Sequence, residues 1–266
     1  MALALLGALL IGTSLGLMGS GGSILTVPVL IYLLGQDEKI AIAGSLWVVG
    51  TIALVSGLRG AWLRQVDWSN VVWFGLPGML GTYLGAMLGG RVASSAQLLT
   101  FVGVLTLAGI WMLRRPGLPA GRVARAPARI VVDGLVVGTL TGFVGVGGGF
   151  LIVPALVLMG GLTMQRAVGS SLVIIAMNSF TGFLKYRHVL AERDLHLDWA
   201  VLATLAGVGV VGSLAGGILG RRLDQRRLRR AFAVLLLATA AAMGATTIHG
   251  LVRSHESGSG AVPNHH

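Results

Sequence analysis

Apolar residues run along this chain in long unbroken stretches divided by short polar turns. The stretches at 40–58, 70–90, 98–113, 167–184, 199–220 and 231–248 are long enough, or nearly so, to cross roughly 30 Å of hydrocarbon as helices of about twenty residues. None alternates apolar with polar positions, which excludes a transmembrane β-barrel. Two further stretches, 1–34 and 130–160, are apolar but interrupted by glycine. The first interruption reads Gly16-Leu17-Met18-Gly19-Ser20-Gly21-Gly22-Ser23, the second Gly142-Phe143-Val144-Gly145-Val146-Gly147-Gly148-Gly149. Each glycine costs a helix interior about 1 kcal/mol relative to alanine, so both runs are breaks rather than helix. Pro28 and Pro154 follow at matching offsets.

The breaks belong to a wider duplication. Gly44-Ser45 answers Gly169-Ser170, Ser56-Gly57 answers Thr181-Gly182, and Asp67-Trp68 answers Asp198-Trp199. Gly81, Gly85 and Gly89 before Arg91 answer Gly212, Gly216 and Gly220 before Arg222. The order is conserved between the halves, which predicts an internal repeat, a common plan of membrane transporters. Four segments follow: a first membrane repeat over 1–113, a basic linker over 114–129, a second repeat over 130–250, and a polar tail over 251–266. The tail is Gly/Ser-rich and reads as disordered or as an expression remnant. Met1-Ala2-Leu3-Ala4 lacks the basic start of a signal peptide, so the chain begins directly in the membrane or has been trimmed.

Composition sharpens the class. The chain is 55% hydrophobic and 11% charged, against roughly 25% charged in soluble domains. Its net charge of +11 does not indicate nucleic-acid binding, because the arginines cluster in turns between apolar stretches, as cytoplasmic loops do. Arg114, Arg115, Arg122, Arg125 and Arg129 crowd the linker; Arg221, Arg222, Arg226, Arg227, Arg229 and Arg230 crowd a later turn. Both clusters lie on one side only if an even number of crossings separates them. The stretch 130–160 must then enter and return as a re-entrant hairpin, being too short for two full spans. Counting back makes the first hairpin enter from the other side. The predicted fold is an all-α polytopic membrane protein of two inverted repeats, each one re-entrant Gly-tipped hairpin plus three transmembrane helices. Lys185, Arg187 and Arg193 fall on the outer side and fit this topology least well.

With two hairpins entering from opposite faces, the tips are expected to meet near the midplane. The first N–H groups of each returning arm would be free for an anion. That expectation assigns Ser20, Gly21, Gly22, Ser23, Gly147, Gly148 and Gly149 to substrate, with Ser45, Ser170 and Ser171 at nearby span beginnings. Asn178 sits mid-span and needs a partner or a ligand. Lys185 and Arg187 either draw anions to an outer mouth or simply snorkel to the interface. The glycine zippers at 81–89 and 212–220 read as helix contacts, and Trp62, Trp68 and Trp199 as interfacial anchors. No acid lies well inside a span, which argues against a cation pump or proton relay. With no cysteine and no cluster of metal ligands, no metal or cofactor is expected. No histidine lies at the depth of Ser20, so a membrane-embedded serine hydrolase is not expected.

These residues resemble the TauE/SafE family of membrane proteins. The likeness rests on the glycine-rich stretches ending in Val27-Pro28 and Val153-Pro154, on Gly44-Ser45 and Gly169-Ser170-Ser171, and on Asn178 with Lys185-Tyr186 downstream. It covers about residues 3–250. The family name implies export of sulfite or of small organosulfonates such as sulfoacetate, by a multi-pass protein of the bacterial inner membrane. Where the second half has Asn178, the first has Val49-Gly50-Thr51 and Ala53, so a strictly symmetric site is not expected. An exported monoanion gains about 2.3 kcal/mol per 100 mV from a negative cytoplasm, which agrees with spans that hold no carboxylate. The partners expected are the bilayer and a small sulfur-containing anion; oligomeric state is open. An anion channel, an uptake transporter and a non-transporting membrane scaffold are the alternative readings.

Overall fold

In the computed structural model, residues 2–92, 94–114, 127–144, 149–192 and 194–259 are described. Among them all regular structure is helical. Helix α1 (Ala2–Met18) turns at Gly19–Ser20 into α2 (Gly21–Pro28), which widens into a π-helix over Val29–Leu33. Then come α3 (Glu38–Trp62), α4 (Trp68–Gly89, with a π segment at Val71–Gly75) and α5 (Ser94–Arg114). The second half holds α6 (Pro127–Val144), α7 (Gly149–Pro154, widening into a π-helix over Ala155–Met159), α8 (Met164–Glu192), α9 (Trp199–Arg222) and α10 (Gln225–Ser259). Helices α3, α4, α5, α8 and α9 are long and apolar enough to cross a membrane.

Local chemistry sets the boundaries, and it does so twice. Proline has no N–H and its ring crowds the carbonyl four residues back; Pro28 and Pro154 are each followed at once by a wider, five-residue π turn. Each π turn ends on a glycine in the left-handed region, Gly35 (φ 63°) and Gly161 (φ 67°). The next N–H then closes a seven-residue loop, Gln36 to the Leu30 carbonyl and Leu162 to the Leu156 carbonyl, both 3.1 Å. Helices α3 and α8 end alike: Gln65 N–H reaches the Gly60 carbonyl and Leu195 N–H the Leu190 carbonyl, around Arg64 and Asp194 at positive φ. This is a Schellman close. Asp67 and Asp198 cap the starts of α4 and α9 by accepting from Asn70 N–H and from Ala200 and Val201 N–H.

Close approach between backbones fixes the bundle. Gly50 faces Ser179, Gly57 faces Val173, Gly60 faces Gly169 and Gly182 faces Leu46, so α3 and α8 run antiparallel. Gly109 meets Leu237 and Ala233 while Gly244 meets Val102, so α5 and α10 are antiparallel too. The zippers pair differently. Gly81 and Gly85 on α4 press on Leu135 and Thr139 of α6, and Gly212 and Gly216 on α9 press on Leu9 and Thr13 of α1. In these pairs the chains run parallel. At Gly85 a Cβ would overlap the Thr139 carbonyl oxygen, and at Gly216 the Thr13 carbonyl oxygen. Each zipper helix therefore holds the first hairpin arm of the other half of the chain.

Several helices outrun their expected limits, α3, α8 and α10 among them. α3 covers 38–62 rather than 40–58 because Asp37 caps it by accepting from Lys39 N–H at 2.9 Å. α8 runs through Glu192, so Lys185, Tyr186 and Arg187, expected at a span end and in a loop, stand within a helix. Tyr186 and Leu190 lie four apart on the buried face of that extension, packed with Ile42, Leu46 and Phe183. α10 continues to Ser259 instead of yielding to a disordered tail near Ser254; no proline precedes Pro263 to stop it.

Arg59 and Arg221 mark one end of the bundle, the arginine end. Arg59, Arg221, Gln65 and Gln165 border one cleft, and Asn70 and Phe74 stand beside Ile130 and the 155–160 turn. The residues about 35–38, 89–92, 94–97, 190–192 and 194–198 form the opposite end. Trp62 and Trp68 are exposed, while the half-exposed Trp199 also meets Trp47 edge-on at 5.4 Å between centroids.

Candidate functional site

The two first arms end at opposite ends of the bundle. On α1, Leu17 lies against Gly220, and Gly19 (φ 75°) lies against Val168 and Ser171 at the arginine end. On α6, Phe143 lies against Gly89 and accepts a hydrogen bond from Gln97 Nε2 at the other end. The expected meeting of both tips at the midplane is not seen in the arms that lead to them. The reason is length: arms of 17 and 18 residues rise about 1.5 Å per residue and nearly cross roughly 30 Å of hydrocarbon. The returning arms α2 and α7 do touch each other.

The glycine-rich positions have separate fates. Gly147 and Gly148 lie outside the described residues. Gly149 opens α7 and Gly21 opens α2. Ser20 is buried and stands at the N-cap of α2 without capping it through its side chain. Gly22 is pressed on the Ile11 carbonyl, which holds α2 close to α1. Ser23 lies within α2.

The span-beginning serines are engaged. Ser170 Oγ accepts from Asp67 N–H at 2.8 Å, anchoring the α3–α4 turn. Ser171 Oγ donates to the Gly19 carbonyl at 3.0 Å and to its own helix at Val168, 2.9 Å. It thereby seats the first glycine turn on α8. Ser45 Oγ donates back to Ile42 in α3 at 2.8 Å. Lys185 Nζ sits 5.8 Å from the Tyr83 ring centroid, a cation–π contact; Arg187 is exposed.

Asn178 differs from all of these. It is fully buried, and neither its Oδ1 nor its Nδ2 has a hydrogen-bond partner. A buried amide left unpaired costs on the order of 1–3 kcal/mol. It stands at mid-depth, level with Gly50 of α3 and Gly78 of α4, each near the centre of its helix. Two neighbouring hydroxyls are also buried without partners: Thr82 Oγ1, one turn beyond Gly78, and Ser179 Oγ, facing Gly50. The matching place in the other half is plain hydrocarbon, with Gly209 against the Ile52 side chain. In that half the hydroxyls are spent on each other, Ser56 and Ser213 lying 2.7 Å apart.

Two features were not read from the sequence. The first is a cleft at the arginine end, between the ends of α1, α3 and α9 and the start of α8, bordered by Ser56, Arg59, Gln65, Gln165, Ser213 and Arg221. Arg59 is oriented there by Nη1 donating to the Leu214 carbonyl at 2.8 Å. The second is Lys39, the one buried charged side chain among the described residues. Its Nζ donates to Gln97 Oε1 at 3.4 Å. Lys39 closes a polar loop and Gln97 opens a span, so each reads as interfacial. Tyr186 and Leu190 at helical spacing were the signal that this end is closed over. Among the described residues no group of His, Cys, Asp and Glu could hold a metal ion.

A family profile described as "Sulfite exporter TauE/SafE" matches residues 4–243. A probable membrane transporter protein of Xylella fastidiosa (strain 9a5c) is 35% identical over 243 residues, covering 87% of this chain and 90% of the relative. The probable membrane transporter protein YunE of Bacillus subtilis (strain 168) is 27% identical over 271 residues, covering 91% and 94%. MJ0441 of Methanocaldococcus jannaschii, also described as a probable membrane transporter protein, is 23% identical over 249 residues, covering 89% and 92%. No solved structure matches the chain.

Proposed function

Because the chain belongs to the TauE/SafE family, multi-pass membrane transporters rather than enzymes, we propose that it exports a small sulfur-containing anion, sulfite or an organosulfonate such as sulfoacetate, across the bacterial inner membrane. The single observation that carries the reading is Asn178, with both amide atoms unpaired at mid-depth beside the unpaired Thr82 hydroxyl. Its Nδ2 and the two hydroxyls are neutral donors, and a desolvated oxyanion is the partner such donors recover energy from.

The proposed architecture is two inverted repeats, each a hairpin and three spans, with the sixth span in α10. Its support is that equivalent helices pair antiparallel, α3 with α8 and α5 with α10. With the arginine end cytoplasmic, substrate is gathered in the cleft by Arg59 and Arg221 and passes to Asn178. Rocking of the repeats then presents it to the other side. The site is one-sided: Ala53 and Ile52 hold the place that Asn178 holds in the second half. Export down the membrane potential needs no coupling ion, since a monoanion gains about 2.3 kcal/mol per 100 mV.

The test is flux from proteoliposomes holding sulfite, sulfate, sulfoacetate or thiosulfate, with and without an imposed potential. Sulfite or sulfoacetate efflux that grows with outside-positive potential supports the reading. Unitary currents would make the protein a channel, and absence of flux for all four anions would make it a scaffold.

A further inference from the structure

We propose that the mid-depth site takes its substrate as a singly protonated monoanion, hydrogensulfite, and rejects both dianions and sulfonates. This rests on the transport reading above and narrows it to one protonation state. Both amide atoms of Asn178 are buried and unpaired, and they are not interchangeable: Nδ2 only donates and Oδ1 only accepts. An ion that offers acceptors alone pairs Nδ2 and leaves Oδ1 buried without a partner. The complementary ligand brings an acceptor and a donor together. Hydrogensulfite does so, through its charged oxygens and its hydroxyl. Sulfite, sulfate and a sulfonate bring acceptors only.

The surroundings agree with one charge and a small ion. Thr82 Oγ1 and Ser179 Oγ are also buried without partners, and a hydroxyl donates or accepts as required. α4 and α8 run in the same direction here: Gly78 lies against Asn178, and Thr82 lies against Gly182, one turn on. A turn is about 5.4 Å, a gap that two oxygens of one small oxyanion bridge. No cation is at hand: 40–58 of α3, 70–89 of α4, 130–144 of α6 and 167–184 of α8 hold no basic residue. Along α8 the next is Lys185, seven residues on, with its Nζ 5.8 Å from the Tyr83 ring centroid. The cost of burying an ion grows with the square of its charge, so neutral donors without a cation suit a monoanion. The other titratable groups on these helices face elsewhere. Asp133 borders the niche of Asn70, Tyr186 packs with Ile42 and Leu46, Lys39 meets Gln97 and Arg59 turns to the arginine cleft. Those nearer the helix ends, Arg166, Arg187 and His188 among them, are exposed. The proton that decides binding rides on the anion, and each turnover moves one proton out with one negative charge.

The experiment is sulfite efflux from proteoliposomes over a pH series spanning the hydrogensulfite pKa, with the flux of protein-free vesicles subtracted. The half-saturating concentration, expressed as total sulfite, is expected to rise about tenfold for each pH unit above that pKa. Expressed as hydrogensulfite, it is expected to stay constant. Selenite holds its last proton to higher pH, so its profile is expected to shift upward with it; a profile that stays fixed places the proton on a protein group and overturns the proposal. Methanesulfonate, a monoanion with methyl in place of hydroxyl, is expected to compete about ten- to a hundredfold more weakly than hydrogensulfite. Equal competition, or efflux of sulfate or sulfoacetate at the sulfite rate, overturns the proposal and leaves the transport reading standing. Asn178→Ser replaces the amide by one hydroxyl that either donates or accepts, and is expected to reduce the preference over methanesulfonate about tenfold. A preference as large as that of wild type takes the amide out of recognition and overturns the proposal. The wild-type measurements keep the test decisive should the variant fail to fold. If wild type moves no anion at any pH, the transport reading fails and takes this one with it.

Discussion

Asn178 and Gly78 face each other at mid-depth: a Cβ on Gly78 would lie 3.3 Å from Asn178 Nδ2 and 3.5 Å from Oδ1. The absent side chain on α4 is what gives the amide its free face. Asn178→Leu is expected to abolish sulfite efflux while the protein still inserts and elutes as wild type, because the apolar chain satisfies the hydrocarbon surroundings and removes the donors. Gly78→Ala is expected to reduce efflux without abolishing it. Efflux at the wild-type rate from Asn178→Leu would remove Asn178 from the path.

The glycine zippers give a prediction about stability rather than transport. Gly85→Val places a side chain onto the Thr139 carbonyl, and Gly216→Val onto that of Thr13. Each is expected to cost about 1–3 kcal/mol or more, read as a loss of folded protein in a thermal unfolding series. Gly103→Val and Gly207→Val have nothing within 4 Å at the Cβ and serve as tolerated controls.

Ser56 and Ser213 share one hydrogen bond of 2.7 Å between α3 and α9. Either single alanine substitution leaves a buried hydroxyl unpaired, at a cost of about 1–3 kcal/mol. The double variant removes both groups and is expected to recover most of that loss. A double-mutant cycle by thermal unfolding reads the sign directly; equal additive losses would show that the pair is not coupled.

Arg59 is held toward the cleft by the Leu214 carbonyl. Arg59→Met is expected to raise the half-saturating sulfite concentration at the arginine face several-fold, with a weaker salt dependence of flux, since the attraction it supplies is screened by added ions. Arg59→Lys keeps the charge and is expected to lie between the two.

Much of the fold was legible because its signals are local and occur twice. Asp67 and Asp198 each stand one residue before a tryptophan-led span, and both prove to be caps. The zippers at 81–89 and 212–220 are helix contacts, as small residues at that spacing imply. What the sequence could not disclose is which helix each zipper holds, since the partner's residues, Leu135 and Thr139 or Leu9 and Thr13, carry no distinguishing type. The level of the hairpin arms was misjudged for a related reason. A glycine break shows where a helix stops along the chain, but its depth depends on where the arm begins, and Pro127 lies within what reads as linker. At the site, Asn178 stood out because an amide in hydrocarbon demands a partner. Lys39 and Gln97 did not, because ends of spans ordinarily carry polar residues, and their burial comes from helices distant in the sequence.

The crossed pairing of α1 with α9 and of α6 with α4 has a consequence for biosynthesis. α1 leaves the ribosome long before α9, the surface it fits. At about 5–20 residues per second, it waits on the order of ten seconds or longer in the lipid with its glycine face unmatched. Neither half of the chain is then a self-sufficient folding unit. A chain stopped in the basic linker leaves both α1 and α4 without mates, whereas the two halves made as separate polypeptides in one cell can complete each other.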